Sequence, residues 1–304
     1  MRVIDGGLST ALEEAGHRLD GRLWTARLLV DDPEAIVAAH LAFLRAGARV
    51  LVTSSYQASV EGFVATGLRL EEAIELVRTT TALAVEARRR FADEEPADAD
   101  DVLIAASAGP YGATLGDGSE YRPAVMEDAM LVSFHAPRLR LLIETQPDLL
   151  AIETIASARE ARAILTALDG LPPIPAWVTF TCRDGATTWG GDAIEDAVAA
   201  AVSGPSVTAV GVNCTAPADV APLLERIARI TGLPLVAYPN GGQSWNAAEK
   251  AWHGPSHGFS AGEVARWIAL GARSVGGCCG VGPAAIAELA EALSLPSDAT
   301  RATG

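Results

Sequence analysis

Eight short apolar runs recur along the chain, and each is followed by a longer stretch with helical periodicity. The runs are Val3–Asp5, Val50–Thr53, Val102–Ala106, Leu149–Glu153, Ala176–Phe180, Val207–Val212, Leu235–Ala237 and Ser274–Gly277. They are often β-branched and lack polar alternation, as strands covered on both faces should be. The helical stretches are Pro33–Ala46, Leu70–Phe91, Met126–Glu144, Ala158–Leu168, Ala193–Val202, Val220–Ile230, Ala261–Leu270 and Ala284–Leu293. Pro33 and Pro283 stand where a first helical turn accepts proline. A strand–helix unit returns the chain to its starting end, so successive strands run parallel. Eight such units predict an α/β fold, a single-domain (β/α)8 TIM barrel over residues 1–296, with 297–304 as a disordered tail. The competing architecture is a doubly wound open sheet, but no dinucleotide-binding fingerprint follows any run.

Three strand-to-helix connections are long: Gly6–Asp32, Gly109–Pro123 and Pro239–Ser260. In a parallel barrel these share the C-terminal face, where active sites form. The return connections are short, except for the Ala/Asp/Glu-rich segment Asp93–Asp101, which reads as an open, mobile loop. A net charge of −15 argues against nucleic acid and against an anionic membrane surface. No run of 18 apolar residues and no secretory leader is evident, so a cytoplasmic protein is expected. Four cysteines in 304 residues are too few for a disulfide scaffold and fit a reducing compartment.

The cysteines carry the chemistry. Cys278 and Cys279 are adjacent within Gly276-Gly277-Cys278-Cys279-Gly280, at the end of the eighth run, and Cys214 ends the sixth. Alternate strand ends of a barrel lie roughly 10 Å apart, within reach of inward side chains that share one ion. The flanking glycines let two successive side chains turn to one point. Three thiolates would leave the fourth position of a tetrahedral zinc open, which distinguishes catalytic from structural zinc. Other readings stand beside this one. Free cysteines commonly pack as small hydrophobes. Gly276–Gly282, before a helix, could instead bind phosphate. Cys182 could be a fourth ligand that closes the site, or a packing residue.

The strand-end segments together resemble the homocysteine S-methyltransferase family. They are Asp5-Gly6-Gly7, Thr53-Ser54-Ser55-Tyr56-Gln57-Ala58-Ser59, Ala108-Gly109-Pro110-Tyr111-Gly112, Glu153-Thr154-Ile155, Gly211-Val212-Asn213-Cys214, Tyr238-Pro239-Asn240-Gly241-Gly242 and Gly277–Gly280. The resemblance spans nearly the whole chain and implies a zinc-dependent barrel that methylates homocysteine to methionine. It makes Cys214, Cys278 and Cys279 the zinc ligands. Asp5 and Gly6 match the region that receives homocysteine, and Glu153 the carboxylate that holds its ammonium group. Thr53 and Asn213 are further substrate-binding candidates. Gln57 falls where the family places a donor-side residue and where betaine-using members have Tyr. That difference favours a sulfonium donor, S-methylmethionine or S-adenosylmethionine, over the betaine-type alternative. The partners implied are these small molecules; oligomeric state is not legible.

Physical chemistry adds constraints. Glu153 ends a buried run, where an unpaired carboxylate is costly; a substrate ammonium or a nearby Arg would relieve it. Asp5 could also simply cap its strand. Trp189 and Trp245 are candidate walls or lids, and Tyr111 and Asn240 candidate pocket residues. Glu120 and Tyr121 face either donor or solvent. His253 and His257 read as solvated loop residues, with metal ligation as the alternative. A phosphate-binding barrel enzyme and a non-catalytic metal-binding barrel remain as rival functions.

Overall fold

A computed structural model of the chain describes residues 1–19, 25–246, 251–253 and 258–294. Eight strands form the central sheet: β1 (Arg2–Val3), β2 (Val50–Val52), β3 (Leu103–Ala108), β4 (Leu149–Ile155), β5 (Ala176–Phe180), β6 (Val207–Asn213), β7 (Leu235–Tyr238) and β8 (Ala272–Val275). Each falls on a run read from sequence. The order is β1-β8-β7-β6-β5-β4-β3-β2, with parallel pairing throughout. A parallel bridge between Ile4 and Val50 closes the circle. The Asp5 N–H donates to the Val50 carbonyl at 3.0 Å, and the Arg49 N–H to the Val3 carbonyl at 2.8 Å. The open-sheet alternative is thereby excluded, and the fold is a (β/α)8 barrel.

The barrel helices are α1 (Pro33–Arg45), α2 (Leu70–Glu94), α3 (Asp128–Glu144), α4 (Ala158–Leu168), α5 (Ile194–Ala201), α6 (Pro217–Ile227), α7 (Ala261–Ala269) and α8 (Pro283–Ser294). Their starts follow local chemistry. Asp32, Ser157 and Ser260 accept N-cap hydrogen bonds from the first turns of α1, α4 and α7, satisfying amides that a helix cannot pair itself. Pro33 and Pro217 occupy first-turn positions of α1 and α6.

Strand alternation divides the apolar residues between two cores. Ile4, Val50, Ala105, Leu149, Ala151, Trp177, Val236 and Tyr238 fill the barrel interior. Their neighbours Leu51, Ile104, Ala106, Leu150, Ile152 and Val178 face the helices. Each fully buried Leu, Ile or Val is worth about 1.5–3 kcal/mol relative to exposure, so both layers hold the strand ends in place.

The Asp93–Asp101 segment is not an open loop. The α2 helix continues to Glu94, and a short helix, Pro96–Ala99, follows. Arg45 pairs with Glu94, Arg49 with Asp98, and Ala99 is buried. Among the described residues no helix is long and apolar enough to cross a membrane. The tail at 297–304 and His257 lie outside the described residues. Trp245 and His253 belong to a small antiparallel hairpin, Ser244–Asn246 with Ala251–His253, and their side chains also lie outside what is described.

Candidate active site

Strand register brings the three cysteines together. β7 lies between β6 and β8, with Asn213 opposite Tyr238. The Cys214 N–H donates to the Tyr238 carbonyl at 3.2 Å, and the Cys278 N–H to the Pro239 carbonyl at 2.7 Å. The Gly241 N–H donates to the Cys279 carbonyl at 2.7 Å. The end of β7 thus docks both cysteine segments. Cys214 sits at φ 48° and Thr154, at the end of β4, at φ 60°. Such left-handed conformations cost a non-glycine residue roughly 1–3 kcal/mol and persist only where surroundings enforce them. The Thr181 hydroxyl bonds the Cys214 carbonyl at 3.0 Å. The Asn213 carboxamide accepts from the Thr154 N–H at 2.7 Å and donates to the Thr154 hydroxyl at 2.8 Å.

Glycine makes the close approach of the first and eighth loops possible. A Cβ on Gly277 would lie 2.2 Å from the Val281 side chain, and one on Gly6 2.2 Å from the Val281 carbonyl. With neither present, the Gly277 N–H bonds the Asp5 carbonyl at 3.1 Å and the Gly7 N–H bonds the Val281 carbonyl at 2.9 Å.

The thiols fit a zinc ion. The Sγ atoms of Cys214, Cys278 and Cys279 lie within 4.8 Å of one another, with Cys214 and Cys279 at 3.7 Å. A tetrahedron with Zn–S bonds of about 2.3 Å has edges of about 3.8 Å. Their acidities are divided. Hydrogen bonds from Cys278 and Cys279 hold the Cys214 thiol well below its ordinary range. Hydrogen bonding to Cys214 pushes the other two well up. A bound cation would favour the thiolate form of all three. Cys182 is buried in the hydrophobic core, outside this cluster, and its N–H bonds the Thr215 hydroxyl.

The cysteines lie in a cavity of about 140 Å³ whose walls include Asp5, Gly6, Thr53, Tyr56, Gln57, Glu120, Tyr121, Glu153 and Tyr238. Asp5 is buried and accepts from the Val52 N–H at 2.9 Å. It therefore both ties β1 to β2 and faces the cavity. Burial pushes its carboxyl well above the ordinary range. Glu153 is buried at the end of β4 and accepts a hydrogen bond from the Ser107 hydroxyl. Burial nonetheless raises it to about 7. Burial likewise raises Glu120 to about 7. No Arg, Lys or His lines this cavity among the described residues. Its chemistry suits a soft metal ion together with positively charged groups.

Some sequence candidates fall elsewhere. Asn213 does not line the cavity, because both ends of its carboxamide clamp β4 and β5. The Tyr111 ring packs edge-on against Phe134, and Asn240 caps the Gly242 N–H. Trp189 is exposed, with its ring 5.8 Å from that of Tyr121.

Two contributors were not singled out from sequence. Tyr238, the last residue of β7, bonds Thr179 and Trp177 and lines the cavity; its place in the Tyr238-Pro239 motif was the available signal. Arg138, buried on α3, donates to the carbonyls of Gly109 at 2.8 Å, Ser55 at 2.8 Å and Tyr56 at 2.7 Å. It pins the loops after β2 and β3 together, and an arginine within a helical run carries no mark of that role.

Relatives carry the same arrangement in name and shape. Residues 2–293 match the family model for homocysteine S-methyltransferases. The homocysteine S-methyltransferase YbgG of Bacillus subtilis is 40% identical over 293 residues, covering 95% of this chain and 93% of that protein. The selenocysteine Se-methyltransferase of Brassica oleracea var. italica is 38% identical over 299 residues, covering 93% and 86%. Among solved structures, the metallated form of the Escherichia coli homocysteine methyltransferase MmuM superposes with a TM-score of 0.86 at 38% identity, covering 96% of each chain. The strand-end motifs, the three-thiol cluster and these full-length matches agree: the chain belongs to the homocysteine S-methyltransferase family.

Proposed function

We infer that the protein transfers a methyl group from a sulfonium donor to the thiol of L-homocysteine, giving methionine. The donor we assign is S-methylmethionine, with S-adenosylmethionine as a substitute. One observation carries this reading: a single cavity combines three clustered thiols with three carboxylates and, among the described residues, no cationic side chain. Such a lining suits a soft cation and positively charged substrates, and it repels anionic donors.

Cys214, Cys278 and Cys279 would hold zinc. When bound, zinc supplies a Lewis acid that lowers the acceptor thiol from its ordinary pKa of about 8.5. Glu153, ionised, receives the ammonium group of homocysteine, and the Ser107 hydroxyl holds its carboxylate in that orientation. Asp5, Gly6 and Thr53 shape the acceptor side, and Gln57 stands on the donor side. In the displacement, the new bond forms between the acceptor sulfur lone pair and the methyl carbon. The donor C–S bond breaks, and its electron pair stays on the departing thioether. Thiolate and sulfonium charges cancel on the way to the transition state, so a water-poor cavity lined by Tyr56, Tyr121 and Tyr238 favours the reaction. We place the protein in the cytoplasm, where reducing conditions keep the three thiols available.

The test is product detection by mass spectrometry with zinc-replete protein and homocysteine. Methyl-labelled S-methylmethionine, S-adenosylmethionine and betaine are offered in parallel. Labelled methionine is expected from the sulfonium donors. Its absence with both sulfonium compounds would overturn the reading.

A further inference from the structure

The loop after β3 folds into two short 3₁₀ turns, Tyr111–Leu115 and Ser119–Tyr121. Gly116 and Gly118, both at positive φ, join them. The second turn lies back on the first so closely that a Cβ on Gly112 would meet the Ser119 carbonyl at 2.3 Å. This fold-back brings two consecutive side chains, Glu120 and Tyr121, into the wall of the cavity. The Tyr121 hydroxyl stops 3.5 Å from the Cys214 Sγ, and its ring leans on Trp189.

The three carboxylates of the cavity are not equivalent. Asp5 accepts from the Val52 amide, and Glu153 accepts from the Ser107 hydroxyl. The Glu120 Oε2 is buried and has no hydrogen-bond partner among the described residues. A buried carboxylate oxygen without a donor is costly and calls for a positive partner from outside the protein. The acceptor's single ammonium group is already assigned to Glu153. Two positive charges remain, both on the methyl donor: its α-ammonium group and its sulfonium sulfur. The Tyr121 hydroxyl, 3.5 Å from the Cys214 Sγ, puts this loop beside the thiol cluster, at the end of the donor where the sulfur reacts.

We propose that Glu120 is the donor-specificity residue: its carboxylate, in the same cavity wall as Tyr121, receives the sulfonium charge of the methyl donor. The proposal rests on the methyl-transfer reading above. A carboxylate and an aromatic face both attract a cation that cannot donate an N–H or O–H hydrogen bond. The sulfur loses its charge as the methyl leaves, so Glu120 holds the donor more strongly than the neutral thioether product. Its contribution therefore falls on donor binding and not on bond formation.

The experiment compares zinc-loaded wild type with Glu120→Gln and Glu120→Asp. The amide removes the charge and keeps the shape; the aspartate keeps the charge. For Glu120→Gln, the KM for S-methylmethionine is expected to rise roughly tenfold to a hundredfold. The KM for homocysteine should stay within about threefold, with kcat not reduced and zinc content unchanged. Glu120→Asp should recover much of the loss. A second arm needs no turnover: calorimetric binding of a non-reactive quaternary ammonium isostere of the donor and of its neutral carbon isostere. Wild type should prefer the cation, and Glu120→Gln should lose that preference. If wild type turns over and Glu120→Gln leaves the donor KM unchanged, or raises both KM values together, the proposal fails while the methyl-transfer reading stands. If wild type does not turn over, the methyl-transfer reading fails. Equal binding of the two isosteres by wild type then overturns the role of Glu120 separately.

Discussion

Replacing Glu153 by Gln should strengthen the fold and weaken the enzyme. Burial raises this carboxyl from its ordinary 4.5 to about 7. The folded state therefore binds more protons than the unfolded state between those values, and stability falls as pH rises through the window. The gap corresponds to about 3 kcal/mol, present in full above pH 7. A glutamine carries no charge to bury, so it escapes this cost. It forfeits about 1 kcal/mol, because the Ser107 hydroxyl must reorient toward an amide. The net gain is about 2 kcal/mol at pH 8, or roughly 3 °C in Tm for a chain of this size. Near pH 5 the difference should vanish, because Glu153 is then protonated in the fold. The assay is calorimetric melting of chelator-treated protein at both pH values, so that no metal charge contributes. With zinc restored, the variant should lose roughly 30- to 150-fold in kcat/KM for homocysteine, the worth of about 2–3 kcal/mol from a buried charge-assisted pair. A variant no more stable than wild type at pH 8, or one with unaltered homocysteine kinetics, would refute the reasoning.

Other consequences follow from particular side chains. Cys214→Ser should abolish stoichiometric zinc binding, whereas Cys182→Ser should retain it, since Cys182 packs in the core; metal analysis of both proteins decides this. Arg138→Lys should cost about 3 kcal/mol or more in urea unfolding, because an ammonium group cannot span the carbonyls of Gly109, Ser55 and Tyr56. His40 is fully buried without hydrogen-bond partners, and burial lowers its pKa from 6.5 to about 4. The unfolded chain then takes up the extra proton between those values, so stability should fall by up to about 3 kcal/mol as pH drops from 6.5 to 4. His40→Leu should flatten that part of the stability–pH curve.

The barrel was legible because its signals are local. Apolar runs such as Ala176–Phe180 and helical periods such as Ala158–Leu168 coincide with the elements observed. The cysteine cluster was legible once those runs were placed on neighbouring strand ends. What escaped depends on partners distant in sequence. The acidic composition of Asp93–Asp101 suggested an open loop, yet Arg45 and Arg49, about 50 residues earlier, hold it folded. Asn213 sits beside a metal-binding candidate, so it read as a substrate residue. Its amide is instead consumed by Thr154 and Thr179, which hold the strand end from which Cys214 departs. Glu120 could not be assigned a direction until the close approach of Gly112 to Ser119 showed how its loop turns inward.

The central claim is that Cys214, Cys278 and Cys279 form a three-legged zinc site whose remaining position takes the acceptor's chalcogen. Zinc K-edge absorption on the repleted protein, before and after adding selenohomocysteine, tests it most directly. The account expects one zinc per chain with three sulfur neighbours at about 2.3 Å, and a selenium neighbour that appears on addition and is lost in Cys214→Ser. A shell dominated by oxygen or nitrogen, or one that gains no selenium, would contradict it.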